Sequence, residues 1–548
     1  MWSAWKLWWV TFLCAVSMAL GVARASAAES PLVSAAWLKQ NLSKPDVHVI
    51  DASFPQLHAA GHIPGAVNVD LFGYGGREVS PEVMEKRVQS WGVTADKTVV
   101  LYDQGGTYMA TSLFLDLVQY GFPVDKLKVL DGGMSKWTAE GGSVTKDPTP
   151  PAARGNFRVT ARNEDIQSRI DQVFAALGNP AKQVVVEAMG PTYYTGAQKF
   201  FDRGGHLPNA VNVPTEDLFN ADKTFKSPAE IRKMFEYLGI GSDKEIHTQC
   251  GGGIAASGPF FAAKFLIGYP KVKLYKGSQL DWLRDERNLP MWTYAAPNLL
   301  RDKHWLDGWS SPMLRMTGGI AFNIIDVRSA EAFKQSNIPF SVNIPAETFA
   351  QNLNDPAALA KLLGAAGVNP AMETAIVSDG RVNGAAAIAL LALESLGQKK
   401  VAILTDSIDD WAFAGLALNR ATDKPDPKRP PMPPPRPLNY VANANAPVVL
   451  ANEKTSAGMF PKVFIASGAN MPARKIDGNV IHIPRETLIA ADGNPKPAKE
   501  MLAAFTKAKV PRYAEIVLVA DDIRDAALNY LAFRLMGYPD VKVLSTKA

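Results

Sequence analysis

The sequence predicts an α/β chain made of repeated units, each a parallel five-stranded sheet flanked by helices. Three recurring features carry the prediction. Short β-branched runs end in an acid, at Val47–Asp51, Val184–Glu187 and Asn323–Asp326, as buried parallel strands do where loop chemistry gathers at the sheet's carboxyl edge. A turn phrase follows each run: Gly61-His62-Ile63-Pro64-Gly65-Ala66-Val67-Asn68 returns as Gly205-His206-Leu207-Pro208-Asn209-Ala210-Val211-Asn212 and, weakened, as Asn337-Ile338-Pro339-Phe340-Ser341-Val342-Asn343. A fourth, eroded copy spans Ile476–Pro484. Finally, a strand leads to Gly132-Gly133 then Trp137, to Gly277-Ser278 then Trp282, and to Asp406-Ser407 then Trp411.

Between phrase and tryptophan lies a second apolar strand, at Thr98–Tyr102, Glu245–Gln249, Ala375–Ser378 and Glu515–Val519. A loop and an Ala/Leu-rich helix follow each. Alone, a Pro-Gly phrase is a turn and a tryptophan after glycines is core packing; their recurrence in one order marks a repeat with a period of roughly 130 to 145 residues, one domain per copy. The 548-residue chain then divides into a leader at 1–27, a first domain at 28–152, a second at 153–298, a third at 299–423, a linker at 424–437 and a degenerate fourth domain at 438–548.

The leader assignment rests on Lys6, an apolar run from Leu7 to about Ala23, and the small-x-small pattern Ala25-Ser26-Ala27. It predicts an exported, periplasmic protein, with an uncleaved anchor as the alternative. Cys14 falls inside the run, after Phe12-Leu13 rather than lipobox residues, and leaves with the leader. Cys250 is then a solitary thiol in a compartment where disulfides form. Exposure to oxidation there raises the odds that it has a chemical task.

Loss of Lys6 and Arg24 lowers the net charge of +5 by two. The basic residues are scattered, without the aromatic-interleaved stripe of a nucleic-acid binder, so no nucleic-acid partner is expected. Seven histidines fall at no metal-ligand spacing, so neither metal nor cofactor is expected. Lys424–Pro437 is proline-rich enough to read as an extended spacer.

Of the four loops that follow the second apolar strand, one carries a thiol. They read Asp103-Gln104-Gly105-Gly106, Cys250-Gly251-Gly252-Gly253-Ile254-Ala255, Ser378-Asp379-Gly380-Arg381 and Ala520-Asp521-Asp522-Ile523. A thiol on a strand-to-helix turn has loop amides aimed at it, and glycines let the loop curl close. Such a cradle favours the thiolate, which gives Cys250 as the catalytic candidate and Gly251, Gly252, Gly253, Ile254 and Ala255 as its substrate-binding loop. His247 lies three residues earlier within a strand, so a Cys/His dyad is disfavoured. In the third loop, Asp379 and Arg381 read as a solvated turn rather than an anion site.

The strand-end acid, the Gly-His-Ile-Pro-Gly-Ala turn, the cysteine loop and the Gly-Gly-x-x-x-Trp segment together resemble the rhodanese-like sulfurtransferases. The resemblance is strong in the first two copies, fair in the third and poor in the fourth. It implies tandem rhodanese-like domains with one cysteine in the second, the first walling the active site, and ping-pong transfer through a Cys250 persulfide. Loop sequence sets donor choice in that family. Cys250-Gly-Gly-Gly-Ile is closer to the Cys-Gly-Ser-Gly-Val of mercaptopyruvate enzymes than to the Cys-Arg-Lys-Gly-Val of thiosulfate enzymes. Glu187-Ala188-Met189 lacks the arginine that usually follows the strand-end acid in mercaptopyruvate enzymes, and Arg203, which matches a family arginine, is the remaining anion-binding candidate. No arginine stands six residues beyond Cys250, where the related phosphatases keep theirs.

The implied activity is movement of a sulfane sulfur from a thiosulfate- or 3-mercaptopyruvate-type donor to cyanide or a thiol. The alternatives are a non-turnover sulfur carrier or binding scaffold, and a redox-sensing thiol. Expected partners are the small donor and acceptor, with an acceptor protein left open and no membrane once the leader is cut.

Overall fold

The computed structural model describes residues 30–74, 78–310, 322–423, 436–442, 448–450, 452 and 458–545. The leader, Cys14 and most of the proline-rich linker lie outside them. No helix among the described residues is long and apolar enough to cross a membrane. The chain forms two compact units, Met1–Asn163 with Asn220–Phe225, and Glu164–Phe219 with Lys226–Ala548.

The first unit holds a five-stranded parallel sheet. Its strands, Leu32–Val33, Val47–Asp51, Val67–Asn68, Thr98–Tyr102 and Leu127–Leu130, lie in the spatial order first, fifth, fourth, second, third. The second unit holds three further main sheets. Those built around Phe322–Asp326 and Lys462–Ala466 repeat the same five-strand order. The sheet containing the cysteine departs from the predicted five strands: it has four, Gln183–Glu187, Val211–Asn212, Glu245–Gln249 and Val272–Leu274. Where the fifth would stand, a single parallel bridge joins Gln167 to Leu274, and Ser168 N–H donates to the Leu274 carbonyl at 3.0 Å. Gln167 follows a 3-10 turn at Glu164–Ile166, which leaves the approaching chain too little extended length for a ladder.

The repeated phrases have repeated structural work. Trp137, Trp282 and Trp411 are almost fully buried, and each donates its indole N–H to a carbonyl six to eight residues on, at Ser143, Pro290 and Ala417. Burial of a tryptophan demands that partner. The turn phrase closes on the same segment: His62 exchanges backbone hydrogen bonds with Thr145, and His206 with Trp292. The phrase therefore fixes where the chain returns after each tryptophan helix.

The third and fourth sheets share one core. Helix Gly384–Ser395 packs along helix Ile523–Leu535, and residues 386–393 are buried without a break. A helix apolar on all sides must be covered on all sides, and the partner helix supplies the missing cover. Each of these two helices follows a loop that in the second sheet carries the thiol.

Candidate functional site

Strand Glu245–Gln249 delivers Cys250 to the carboxyl edge of its sheet, and the chain then curls before the short helix Ser257–Phe261. A five-residue π turn, Ala262–Leu266, continues that helix, a rare form often found beside functional loops. Cys250 is 3 % exposed. Its Sγ accepts the Gly253 N–H at 3.0 Å and also takes backbone hydrogen bonds from Gly252 and Ala256. The ring of amides is thus present. Ala256, whose N–H completes it, stands one residue beyond the stretch that the sequence marks out.

Each loop residue has a distinct place. Gly253 sits at φ +88°, and a Cβ there would collide with the Lys276 carbonyl. Gly251 lies against the Phe200 ring, while Gly252 is exposed and has open space around it. Ile254 accepts the Ser257 N–H. The carbonyl of Ala255 takes the Thr215 hydroxyl at 2.9 Å. From below, Cys250 N–H donates to Ser278 Oγ at 3.1 Å, and the Cys250 carbonyl accepts Gln279 N–H.

Behind the loop stands Glu187, fully buried. Its carboxylate accepts Met189 N–H at 3.0 Å, Gln279 Nε2 at 3.2 Å, and Gln249 Nε2. All three donors are neutral, and burial pushes the carboxyl up to about 7. The third sheet solves the same problem otherwise: buried Asp326 meets Arg328 at 2.7 Å. In the second sheet Met189 occupies that arginine's position, two residues after the acid.

This arrangement corrects the expectation of a resting thiolate. Burial and the nearby Glu187 charge push the Cys250 thiol up, and the three amide hydrogen bonds oppose them without prevailing. Desolvation penalises the charged form more than three dipoles restore. The expectation of an open sulfur is corrected too, since the residue is almost wholly covered, while in the loop beside it Gly252 is exposed and Ile254 and Ala255 are partly exposed. Half-exposed Phe200, against Gly251, gives this rim an aromatic face.

The first unit shows what such a loop can hold. Asp103, at the position equivalent to the cysteine, accepts Gly105 N–H at 2.8 Å and Ala110 N–H at 3.0 Å, along with the Thr107 hydroxyl. There the cradle is filled by the protein's own carboxylate. In the third loop Arg381, read from sequence as part of a solvated turn, is half exposed and meets Asp492 at 3.1 Å. Arg203 donates to Leu289 O at 2.9 Å and Asn288 Oδ1 at 3.3 Å, so its guanidinium braces the turn after Trp282, and none of its hydrogen bonds among the described residues reaches the cysteine loop. His247 is buried with Nε2 3.1 Å from Glu245, away from Cys250 as its strand position predicts. Glu187 is visible in the sequence as a strand-end acid, but its clamp of Gln249 and Gln279 spans 92 residues and leaves no local pattern.

Comparison with known proteins gives one consistent family. Residues 34–140, 173–285 and 313–414, more than half of the chain, match the rhodanese-like domain. The sulfur carrier protein TtuD of Thermus thermophilus is 33% identical over 267 residues, covering 46% of this chain and 93% of the relative. A protein of Saccharopolyspora erythraea named "Putative thiosulfate sulfurtransferase" is 31% identical over 268 residues, covering 46% and 93%. Among solved structures, Escherichia coli SseA, described as a 3-mercaptopyruvate sulfotransferase with the rhodanese fold, aligns with TM-score 0.41 and 26% identity over 45% of this chain and 98% of its own.

Proposed function

Because this chain belongs to the rhodanese-like sulfurtransferase family, we propose that it moves a sulfane sulfur from a small donor through a Cys250 persulfide to a thiophilic acceptor. The observation that carries the reading is the set of three backbone amides on Cys250 Sγ. In this reading the thiol rests protonated, and in the transfer its proton passes to the departing group, to sulfite or to the enolate carbon. The sulfur attacks the donor's outer sulfur. With thiosulfate the S–S bond breaks and sulfite leaves with the electron pair; with 3-mercaptopyruvate the C–S bond breaks and the carbon leaves as an enolate that takes up a proton. The anionic persulfide remains under the Gly252, Gly253 and Ala256 amides, which favour negative charge in a site largely free of water. Cyanide or a thiol attacks the outer sulfur and returns Cys250 to its starting state.

Incubation with thiosulfate or 3-mercaptopyruvate plus cyanide tests this. Thiocyanate formation that disappears in Cys250→Ala is the expected result; its absence with both donors sinks the enzymatic reading. A second reading, a carrier that loads sulfur without rapid turnover, is favoured by the deep placement of Cys250 and by the name of the Thermus relative. Mass spectrometry separates the two, since a carrier gains one sulfur on Cys250 and releases none to cyanide. We further propose that the protein is exported, on the leader pattern at residues 1–27, with N-terminal sequencing of the mature protein as the test. The sheet around Lys462–Ala466 is proposed as a fourth rhodanese-like domain, supported by its strand order.

A further inference from the structure

We propose that Thr215 is a positioning residue of the sulfur site, aiming the Ala256 amide at Cys250, and that the chain leading into the fourth sheet holds it there. Thr215 opens the one-turn 3-10 helix Thr215–Leu218 and is buried. Its hydroxyl has two oxygens in reach, Ala255 O at 2.9 Å and Ala188 O at 3.4 Å. Both are carbonyls, which only accept, so its one proton goes to the nearer, Ala255. The Ala255 carbonyl and the Ala256 N–H are opposite sides of one planar peptide. Fixing the carbonyl therefore fixes the direction of the N–H that reaches Cys250 Sγ. Of the three amides on the sulfur, this one does most to favour its charged form.

The repeats show that the fold does not need this hydroxyl. Three residues beyond Asn68, Asn212, Asn343 and His482 stand Leu71, Thr215, Ala346 and Arg485, so the hydroxyl occurs only in the copy that has the thiol. The backbone does the structural work elsewhere: Ala346 N–H donates to Val327 O at 3.0 Å and Arg485 N–H to Ser467 O at 2.9 Å, as Thr215 N–H does to Ala188 O at 3.0 Å. Each of these acceptors directly follows a central strand of its sheet. The Thr215 methyl lies where a Cβ on Gly258 would collide with it, which leaves the β-branched side chain little freedom to turn. The far end of the turn is held from another sheet. Asp217 accepts Arg512 Nε at 3.0 Å and the Tyr513 hydroxyl at 3.1 Å, and Arg512 Nη2 donates to the Asn212 carbonyl at 3.3 Å. Arg512 and Tyr513 lead into strand Glu515–Val519. The fourth sheet, whose loop has no thiol, thereby grips the segment that carries Thr215.

The inference deepens the reading of Cys250 as the sulfur-bearing residue, and its test does not need turnover. Iodoacetamide alkylation of Cys250 in the full-length protein, read by peptide mass spectrometry, is followed against pH beside thiocyanate formation. Thr215→Val keeps the shape and removes the hydroxyl. The alkylation profile should move to higher pH and the rate at neutral pH should fall about two- to tenfold, the span of one net hydrogen bond. Thr215→Ser keeps the hydroxyl and should recover most of that loss, even where the missing methyl lowers its melting temperature. Arg512→Met should move the profile the same way by a smaller amount. Glu187, the charged group acting on the sulfur, is unchanged in every variant, and melting curves confirm the fold. A folded Thr215→Val with the wild-type profile, or a Thr215→Ser no better than the valine variant, overturns the positioning role. A folded Arg512→Met with the wild-type profile overturns the fourth sheet's part in it. Shifted profiles with no thiocyanate from any of the proteins would uphold the positioning and sink sulfur transfer instead.

Discussion

The backbone N–H of Gly253 donates to Cys250 Sγ at 3.0 Å from a left-handed conformation, φ +88°, in which the Lys276 carbonyl occupies the space a Cβ would need. Any side chain at 253 must displace either the loop or the Lys276 strand end. Gly253→Ala is therefore expected to swing the amide off the sulfur and reduce sulfur transfer by on the order of 10²-fold, comparable to loss of one donor from an anion site. Thiocyanate formation under saturating donor measures it. Near wild-type turnover would show that this amide contributes nothing to the reaction.

Glu187 raises the Cys250 thiol electrostatically. Glu187→Gln keeps an oxygen for the Met189 amide and removes the charge, so the pH profile of Cys250 alkylation by iodoacetamide should move to lower pH. The direction is diagnostic: a shift upward, or none, means that the carboxyl does not act on the sulfur.

The same carboxyl has a stability signature. Its value of about 7 in the fold stands above the ordinary 4.5, so its contribution is complete below pH 4.5 and is lost as pH rises through about 7. The linked change is up to about 3 kcal/mol. Buried His206, lowered to about 4, works oppositely, because its contribution is present above pH 6.5 and is lost as pH falls through about 4. The two windows overlap and their slopes oppose, so these groups leave stability nearly level from about pH 4.5 to 6.5, whereas Glu187→Gln should remove the falling term and leave stability rising with pH from about 4 to 6.5. Urea midpoints from pH 4 to 8.5 for both proteins provide the check.

A chain ending at Asp423 should not yield a well-behaved protein. It would uncover the helix Gly384–Ser395, whose residues 386–393 are all buried against its surroundings. Such a continuous apolar surface promotes association. Size-exclusion chromatography should show aggregates; a soluble monomer with unchanged melting would contradict the shared core.

The sequence makes the repeat, the strand-end acids, the turn phrase and the thiol loop legible because each is a local pattern with a local cause. Asn68 and Asn212 illustrate this: each gives its side-chain amide to the carbonyl of the preceding strand-end acid. Three things were not legible. The missing edge strand at Gln167 depends on where a 3-10 turn leaves the chain. The Gln249–Glu187–Gln279 clamp joins three distant segments. The raised thiol follows from burial, which no spacing records. The run Ala385–Leu393 reads in sequence only as an Ala/Leu-rich helix; that it is buried on every side, and by which helix, depends on a segment about 140 residues further on.

The loop's neighbouring glycines also differ in what they permit. At Gly252 the backbone is outside the left-handed region and nothing stands within 4 Å of a built Cβ, whereas 253 admits no addition. Position 252 is thus an unoccupied attachment point one peptide from the ring around the sulfur. Lysine or arginine placed there would bring a full positive charge to the rim, offering a route to retune donor preference toward dianions without rebuilding the turn.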